Sequence, residues 1–116
     1  DNPGYFLRTV TQAYALLTRA NHDNLYLQYD LYHAGMNGED VIEGARTHLD
    51  LIDHMQMAGV PGRHEPDTGM VDMLAAFDAI DDIGYDGWIG AEYRPSGSTA
   101  DSFNWGRPYG IGPKAP

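Results

Sequence analysis

Residues 25–30 read Leu-Tyr-Leu-Gln-Tyr-Asp, a short run of strand-forming residues that ends in a carboxylate. Similar runs occur at residues 51–57 and at residues 88–92. A segment with the apolar spacing of a helix precedes each run, at residues 4–19, at residues 39–49, and between an Asp67-Thr68 cap and Gly84. Alternation of helix and strand predicts an α/β fold in which crossover helices connect the strands of a parallel sheet.

The connecting segments are predicted to be irregular. A loop is expected at residues 31–38, and a longer loop rich in Gly and Pro at residues 58–69. The segment 94–116 contains four of the seven prolines. We therefore expect one α/β unit over residues 1–105, followed by an irregular C-terminal tail over residues 106–116.

Composition limits the classes of partner. The 116 residues include 17 Asp and Glu against 7 Lys and Arg, for a net charge of −10. This acidic balance argues against nucleic acid and anionic membranes as partners, because both are bound through basic side chains. Absence of Cys excludes disulfides and fits a cytoplasmic protein. Composition leaves self-association into a homo-oligomer open.

The length, 116 residues, allows one domain or part of a larger one. Two architectures fit the alternation: an open doubly wound sheet and a section of a (β/α)8 barrel. Three strands make a poor open sheet but three eighths of a barrel. The chain begins at Asp1 and runs directly into helical patterning, so we expect a processed chain or a piece of a longer one.

Each predicted strand ends in a side chain with an oxygen that can bind a hard cation: Asp30, Gln56 and Glu92. Such oxygens at successive strand ends suit Mg²⁺ or Mn²⁺. The alternative for Asp30 is a helix cap, and for Gln56 a hydrogen-bonded strand end. Glu92 is followed by Pro95 and Gly97 rather than by a helix, and a buried, isolated Glu is costly unless it is paired or binds a metal.

Histidines and arginines lie close to these positions. His33 follows Asp30 by three residues, and His54 points to the same side of its strand as Gln56. For a lone His, a structural hydrogen bond is the alternative to a role in the site. Arg63 could reach a substrate oxygen or pair with the nearby Glu65, whereas Arg94 could bind an acidic substrate or remain in solvent.

Three segments together resemble the hydroxypyruvate isomerase family, which includes the 2-oxo-tetronate isomerases and belongs to the xylose-isomerase-like TIM barrels. The segments are residues 24–33, 54–66 and 84–95. They contain the patterns D-x-x-H, H-x-Q-x-A-G-x-P-x-R-H-E-P and G-Y-x-G-W-I-G-x-E-Y. The resemblance covers about residues 1–105 and implies the C-terminal part of a (β/α)8 TIM barrel, about strands six to eight with their helices.

The resemblance also implies roles for individual residues. Asp30, Gln56 and Glu92 match ligands of a divalent metal, Mg²⁺ or Mn²⁺, and Glu92 matches an acid/base. His33 and Arg63 match residues that hold substrate oxygens, and His54 matches a residue that lines the site. The implied reaction is isomerisation of a small hydroxy-oxo acid, such as hydroxypyruvate to tartronate semialdehyde, through a metal-stabilised enediolate.

Two alternatives remain open. The family uses a second Glu at the end of strand five, and this chain begins just after that point, so it could be a non-catalytic half-barrel. A ketose 3-epimerase of the same superfamily would share Asp30, His33, Arg63 and Glu92, but normally has His at the position of Gln56. The DNA-repair endonuclease branch expects zinc ligands and a basic groove, which the acidic balance disfavours.

Overall fold

The three predicted strands form one parallel sheet, and their order in the sheet is their order along the chain. A computed structural model describes residues 1–112. Its elements are α1 (Val10–Ala20), β1 (Leu27–Asp30), α2 (Leu31–Met36), α3 (Val41–Thr47), β2 (Ile52–Met57), α4 (Met73–Asp82) and β3 (Trp88–Ala91), with short 3-10 helices at Leu49–Leu51 and Asp101–Tyr109. Within residues 1–112, no helix combines the length and the apolar character that crossing a membrane requires.

Alternation along the strands separates the two faces of the sheet. Tyr29 and Met55 are register partners on one face, and both are buried. The helices cover this face, where α4 contributes the fully buried Met73 and Ile80. Burial of an apolar side chain of this size stabilises a fold by about 1.5–3 kcal/mol, so this face holds the sheet and helices together. The opposite face is free to carry polar side chains.

The predicted loop at residues 31–38 is wrong over most of its length. Helix α2 starts at Leu31 without any intervening residue, because the Asp30 carboxylate accepts hydrogen bonds from the amides of Tyr32 and His33. Helix α3 is shorter than the predicted helix over residues 39–49, since Asp40 provides a cap one residue later and the helix ends at Thr47.

Two other helix starts also differ from their predicted positions. Helix α1 begins after Thr9, which forms a capping box with Gln12, rather than near Gly4. Its residues Val10, Ala13 and Leu17 are only partly buried, and Leu16 is exposed. Helix α4 begins after Asp72 rather than after Asp67-Thr68, because the Thr68 hydroxyl donates to the carbonyl of Glu65 within the preceding loop. A local cap pattern cannot distinguish a helix start from such a loop turn.

The C-terminal segment is more ordered than predicted. Residues Asp101–Tyr109 form a 3-10 helix in which the Trp105 ring is buried near Phe77 and Tyr93. Burial of this ring packs the segment against the rest of the protein, although its prolines favour irregular structure. The domain boundary at residue 105 stays a prediction, and the last part of the predicted tail, residues 113–116, lies outside the described residues.

Gly84 follows α4 with φ +83, and the sequence correctly predicts it as the residue that ends the helix. A Cβ there would meet nothing within 4 Å, so only backbone strain opposes a side chain. We expect Gly84→Ala to lower the free energy of unfolding by about 1–2 kcal/mol, measured by urea denaturation. Gly97→Ala is the matched control, because that position is equally open and lacks positive φ. Equal stability of the two variants would contradict the prediction.

Candidate active site

The carboxyl ends of the strands bring the predicted site residues to one face of the sheet. Asp30 is the register partner of Gln56, and Gln56 is the register partner of Gly90. Glu92 follows Gly90 by two residues, and its amide continues the ladder by donating to the Met57 carbonyl at 3.1 Å. Side chains two residues apart on a strand point to the same side. Asp30, Gln56 and Glu92 therefore project from neighbouring strands on the face opposite the core, with Glu92 two residues beyond the register partner of Gln56.

Asp30 takes the helix-cap role, one of the two alternatives that the sequence presents. Its Oδ1 caps α2 by accepting from two backbone amides. Its Oδ2 lies 3.7 Å from Nε2 of His33, and the side chain is only 14% exposed. One oxygen therefore orients the carboxylate, while the other faces the open side of the sheet next to His33.

Gln56 is oriented by a residue that the sequence analysis did not single out. Its Oε1 accepts a hydrogen bond of 2.7 Å from Nε2 of Gln28. Gln28 precedes Asp30 by two residues, so strand alternation alone would have placed it on this face. Gly90 lies between the side chains of His54 and Gln56. A Cβ at this position would lie 3.2 Å from Nε2 of His54 and 3.7 Å from Cγ of Gln56, so a glycine leaves room for both. His54 therefore lies on the same face as Gln56.

Glu92 is paired, but it is not buried as the sequence suggests. Its Oε2 accepts a 2.6 Å hydrogen bond from Nη2 of Arg63, and its side chain is 59% exposed. Nη1 of the same guanidinium lies 3.3 Å from the carboxylate of Asp1. The suggested pairing of Arg63 with Glu65 is wrong: the loop turns at Arg63, where φ is +55, and carries its side chain to Glu92.

Tyr32 is a second residue of the site that the sequence analysis missed. The guanidinium carbon of Arg63 lies 4.9 Å from the centre of its buried ring, and the His33 ring packs edge-on against it at 5.1 Å. Its hydroxyl donates to the carboxylate of Asp1. Tyr32 therefore touches both residues that the resemblance assigns to substrate binding. The sequence around Tyr32 contains no signal of this contact, because Arg63 lies 31 residues further along the chain.

Arg94 lies on the loop after β3, with an exposed side chain and with its amide bonded to the Arg63 carbonyl at 2.7 Å. Nearby, Glu65 is buried and its Oε1 accepts from the Ser96 amide at 2.9 Å. This hydrogen bond is the main reason why the pKa of Glu65 is lowered from its ordinary value. The two loops that follow β2 and β3 are thus held side by side.

The donor set fits a hard divalent cation in chemistry. Asp30 and Glu92 supply carboxylate oxygens and Gln56 an amide oxygen from one face of the sheet, and Mg²⁺ and Mn²⁺ prefer oxygen ligands. Across residues 1–112, no group of three or more His, Asp or Glu side chains is arranged to hold a metal. A cation here would therefore depend on the Gln56 amide and on ligands beyond these three residues.

A cleft of about 1110 Å³ opens beside these residues along the outer edge of β1. Its walls include Asp30, His33, Gln56 and Glu92, together with apolar side chains of α1 such as Leu17. The predicted ligands and His33 line it directly, whereas Arg63 is connected to it through Glu92.

Comparison with known proteins agrees with this architecture. The family model described as xylose isomerase-like TIM barrel matches residues 1–109. The 2-oxo-tetronate isomerase of Cupriavidus necator is 41% identical over 109 residues, which are 94% of this chain and 42% of that protein. A putative hydroxypyruvate isomerase of Xenopus laevis is 39% identical over 92% of this chain and 39% of its own length.

Solved structures agree with the fold. A crystal structure described as an AP endonuclease, family 2, from Brucella melitensis matches with a TM-score of 0.88 and 38% identity, over 92% of this chain and 42% of that one. A structure of L-ribulose 3-epimerase matches with a TM-score of 0.69 and 27% identity, over 90% of this chain and 34% of that one.

The chain thus spans about two fifths of the length of the curated relatives that it matches. The predicted resemblance and the predicted TIM-barrel fold class are both confirmed, and the three parallel strands with their helices form part of such a barrel. On a family match that covers nearly all of its residues, this chain belongs to the xylose isomerase-like TIM-barrel family.

Proposed function

We propose that the complete barrel containing this chain isomerises a small hydroxy-oxo acid, of the hydroxypyruvate or 2-oxo-tetronate type. The observation that carries the proposal is the Glu92 carboxylate, held 2.6 Å from the Arg63 guanidinium beside Asp30 and Gln56. This arrangement supports the proposal, because a carboxylate suited to proton transfer and a guanidinium suited to an acidic substrate lie together at the carboxyl ends of the strands, the functional face of a barrel. Relatives named as 2-oxo-tetronate and hydroxypyruvate isomerases support the choice of substrate class.

The residues divide into binding and proton-transfer groups. Arg63 and His33 bind substrate oxygens, and His54 lines the site. Oε2 of Glu92 accepts a hydrogen bond from Arg63, and the Glu92 carboxylate accepts the proton from the carbon that bears the hydroxyl. A proton returns to the former carbonyl carbon, and the hydroxyl proton moves to the former carbonyl oxygen. Substrate and product therefore have the same atoms and the same oxidation level overall.

Asp30, Gln56 and Glu92 would hold a divalent cation, Mg²⁺ or Mn²⁺. When bound, such a cation supplies a Lewis acid that polarises a substrate carbonyl. Hydrogen bonds within this chain prepare the site for it. The backbone amides at the start of α2 fix the Asp30 carboxylate, and the Gln28 side chain fixes the Gln56 amide.

The proposal is tested by incubating the complete protein with hydroxypyruvate and, separately, with 2-oxo-tetronate in D₂O that contains Mg²⁺ or Mn²⁺. We expect an isomer in which the carbonyl has moved to the neighbouring carbon, an aldehyde from hydroxypyruvate and a ketone from 2-oxo-tetronate, with solvent deuterium at the carbon that receives the proton. Absence of product with both acids would favour the non-catalytic alternative.

A ketose 3-epimerase is the second candidate, favoured by the similarity to L-ribulose 3-epimerase. It is the weaker one because Gln56 stands where such epimerases normally have His. Incubation with a ketopentose distinguishes the two, since an epimerase leaves the carbonyl at the same carbon. A nuclease, suggested by the description of the Brucella structure, is disfavoured by a net charge of −10. A cytoplasmic location and a homo-oligomer stay predictions.

Arg63 should bind the acidic substrate. Because Nη1 and Nη2 already contact carboxylates, the guanidinium is oriented before substrate arrives. We expect Arg63→Ala to lower kcat/KM for hydroxypyruvate on the order of 10- to 100-fold, as loss of a charge-assisted contact does. Arg46→Ala, which removes an exposed ion pair with Glu43, is the control. An unchanged kcat/KM in Arg63→Ala would refute this role.

A further inference from the structure

Glu65 is a residue of the R-H-E-P pattern that the proposed reaction does not use. Its side chain is buried, with the residue only 8% exposed. Oε1 accepts from the Ser96 amide at 2.9 Å, and Oε2 is buried without a hydrogen-bond partner among the described residues. Burial of a carboxylate costs free energy, so a Glu at this position needs a compensating contact. The only side-chain hydrogen bond that the described residues provide is the one to Ser96.

This bond is one of three that join two loops. The Arg94 amide donates to the Arg63 carbonyl at 2.7 Å, and Nδ1 of His64 lies 2.8 Å from the Arg94 carbonyl oxygen. With the bond from Ser96 to Glu65, residues 63–65 are thus tied side by side to residues 94–96. We call these three contacts the loop clip.

The loop clip lies directly next to the two residues that the reaction uses. Arg63 belongs to the first loop, and Glu92 precedes the second by two residues. The Arg63 backbone has φ +55, a conformation that a non-glycine residue keeps only when its surroundings hold it. A shift of one loop against the other would therefore separate the guanidinium from the Glu92 carboxylate.

The first loop is also too tightly packed to compensate for such a shift. The Arg63 amide donates to the Gly59 carbonyl at 2.8 Å. A Cβ on Gly59 would lie 2.6 Å from the Glu65 carbonyl oxygen and 2.6 Å from Oγ1 of Thr68. The loop is thus packed closely against itself, so its hydrogen bonds to the second loop set where the Arg63 side chain lies.

We propose that Glu65 is a positioning residue for the Arg63–Glu92 pair. Its carboxylate anchors the loop after β2 to the loop after β3 and so sets the guanidinium against the catalytic carboxylate. Glu65 itself does not touch the substrate. The inference rests on the proposed isomerase function, because that function gives Arg63 and Glu92 their roles.

Two conservative variants of Glu65 distinguish the effect of side-chain length from the effect of side-chain charge. Glu65→Gln keeps an oxygen at the distance of the Ser96 amide, whereas Glu65→Asp keeps the charge but is shorter by one methylene. We expect Glu65→Asp to raise KM for hydroxypyruvate on the order of tenfold and to lower kcat, and Glu65→Gln to restore most of both, because small displacements of positioned groups are costly. Glu43→Asp is the matched control, since the Glu43 side chain is 61% exposed and its partners among residues 1–112, Arg46 and Thr47, belong to its own helix.

A double-mutant cycle with Arg63→Ala distinguishes positioning from a general structural role. If Glu65 acts through Arg63, Glu65→Asp changes KM little further once Arg63 is absent. The same KM increase in both backgrounds, or an unchanged KM in Glu65→Asp, would overturn the proposal while leaving the isomerase function intact.

Hydrogen exchange of the Arg94 and Ser96 amides gives a measurement that does not depend on activity. We expect faster exchange at both amides in Glu65→Asp than in Glu65→Gln. Unchanged exchange would overturn the anchoring role of Glu65. If the protein isomerises neither acid but exchange accelerates as expected, the proposed function fails and the positioning role in catalysis fails with it, although the loop clip stands.

Discussion

Glu92→Gln is expected to lower kcat for isomerisation by about 10²- to 10⁴-fold, the range that a positioned acid/base contributes. The carboxamide keeps the shape of the side chain and an oxygen that can accept from Nη2 of Arg63, so the loop arrangement survives. What is lost is a carboxylate that can take up a proton. The measurement is the initial rate with hydroxypyruvate at saturating concentration.

Two controls belong to this experiment. Glu43→Gln neutralises an exposed carboxylate that also pairs with an Arg, namely Arg46, but lies on α3 away from the site. Its kcat should stay unchanged. Deuterium incorporation from D₂O into the substrate should fall in parallel with kcat in Glu92→Gln. If Glu92→Gln exchanges deuterium at the rate of the unchanged protein, another group transfers the proton and our assignment is wrong.

Removal of divalent metal is expected to have an effect of similar size. A Lewis acid on a carbonyl oxygen contributes several kcal/mol, and each 1.36 kcal/mol is tenfold in rate, so a chelator should lower kcat by roughly 100-fold or more. Addition of Mg²⁺ or Mn²⁺ should restore the activity. Full activity in a chelator, with the metal content verified as zero, would refute the assignment of Asp30, Gln56 and Glu92 as ligands.

The contribution of Asp30 to metal binding can be tested separately, because the chain contains two similar helix caps. Asp30 caps α2 and Asp40 caps α3, each by accepting hydrogen bonds from two backbone amides. Asn is a comparable cap, so Asp30→Asn and Asp40→Asn change helix stability similarly. Only Asp30→Asn should weaken metal binding, on the order of 100-fold in Kd by calorimetry. Equal Kd values for the two variants would contradict a ligand role for Asp30.

The secondary structure could be predicted where the local sequence is periodic. The three strands and the helices α1, α3 and α4 occur near the segments that the apolar spacing indicates. The boundaries of the three helices differ by several residues from the predicted ones, because Thr9, Asp40 and Asp72 compete as caps with other polar residues nearby. Helix α2 was missed because its six residues are too short to display a helical period.

The common face of the site also follows from the sequence, while the partners of each side chain do not. Asp30, Gln56 and Glu92 end parallel strands, and strands of one sheet present their carboxyl ends at one edge. The pairing of Arg63 with Glu92 instead of Glu65, and the exposure of Glu92, depend on the backbone turn at Arg63. Nothing in the spacing of the residues reports that turn.

The sequence by itself determined the α/β alternation, the parallel sheet that this alternation implies, and the polar residues at the strand ends, because periodicity and the order of elements along the chain are visible in neighbouring residues. Only the tertiary structure decided which groups meet. The Arg63 guanidinium lies over the Tyr32 ring, the Gln28 side chain donates to Gln56, and the Ser96 amide donates to Glu65. Each of these contacts joins residues 28 to 31 positions apart along the chain. Contacts of this kind arise when packing of the helices and loops fixes distances in space that local periodicity does not contain.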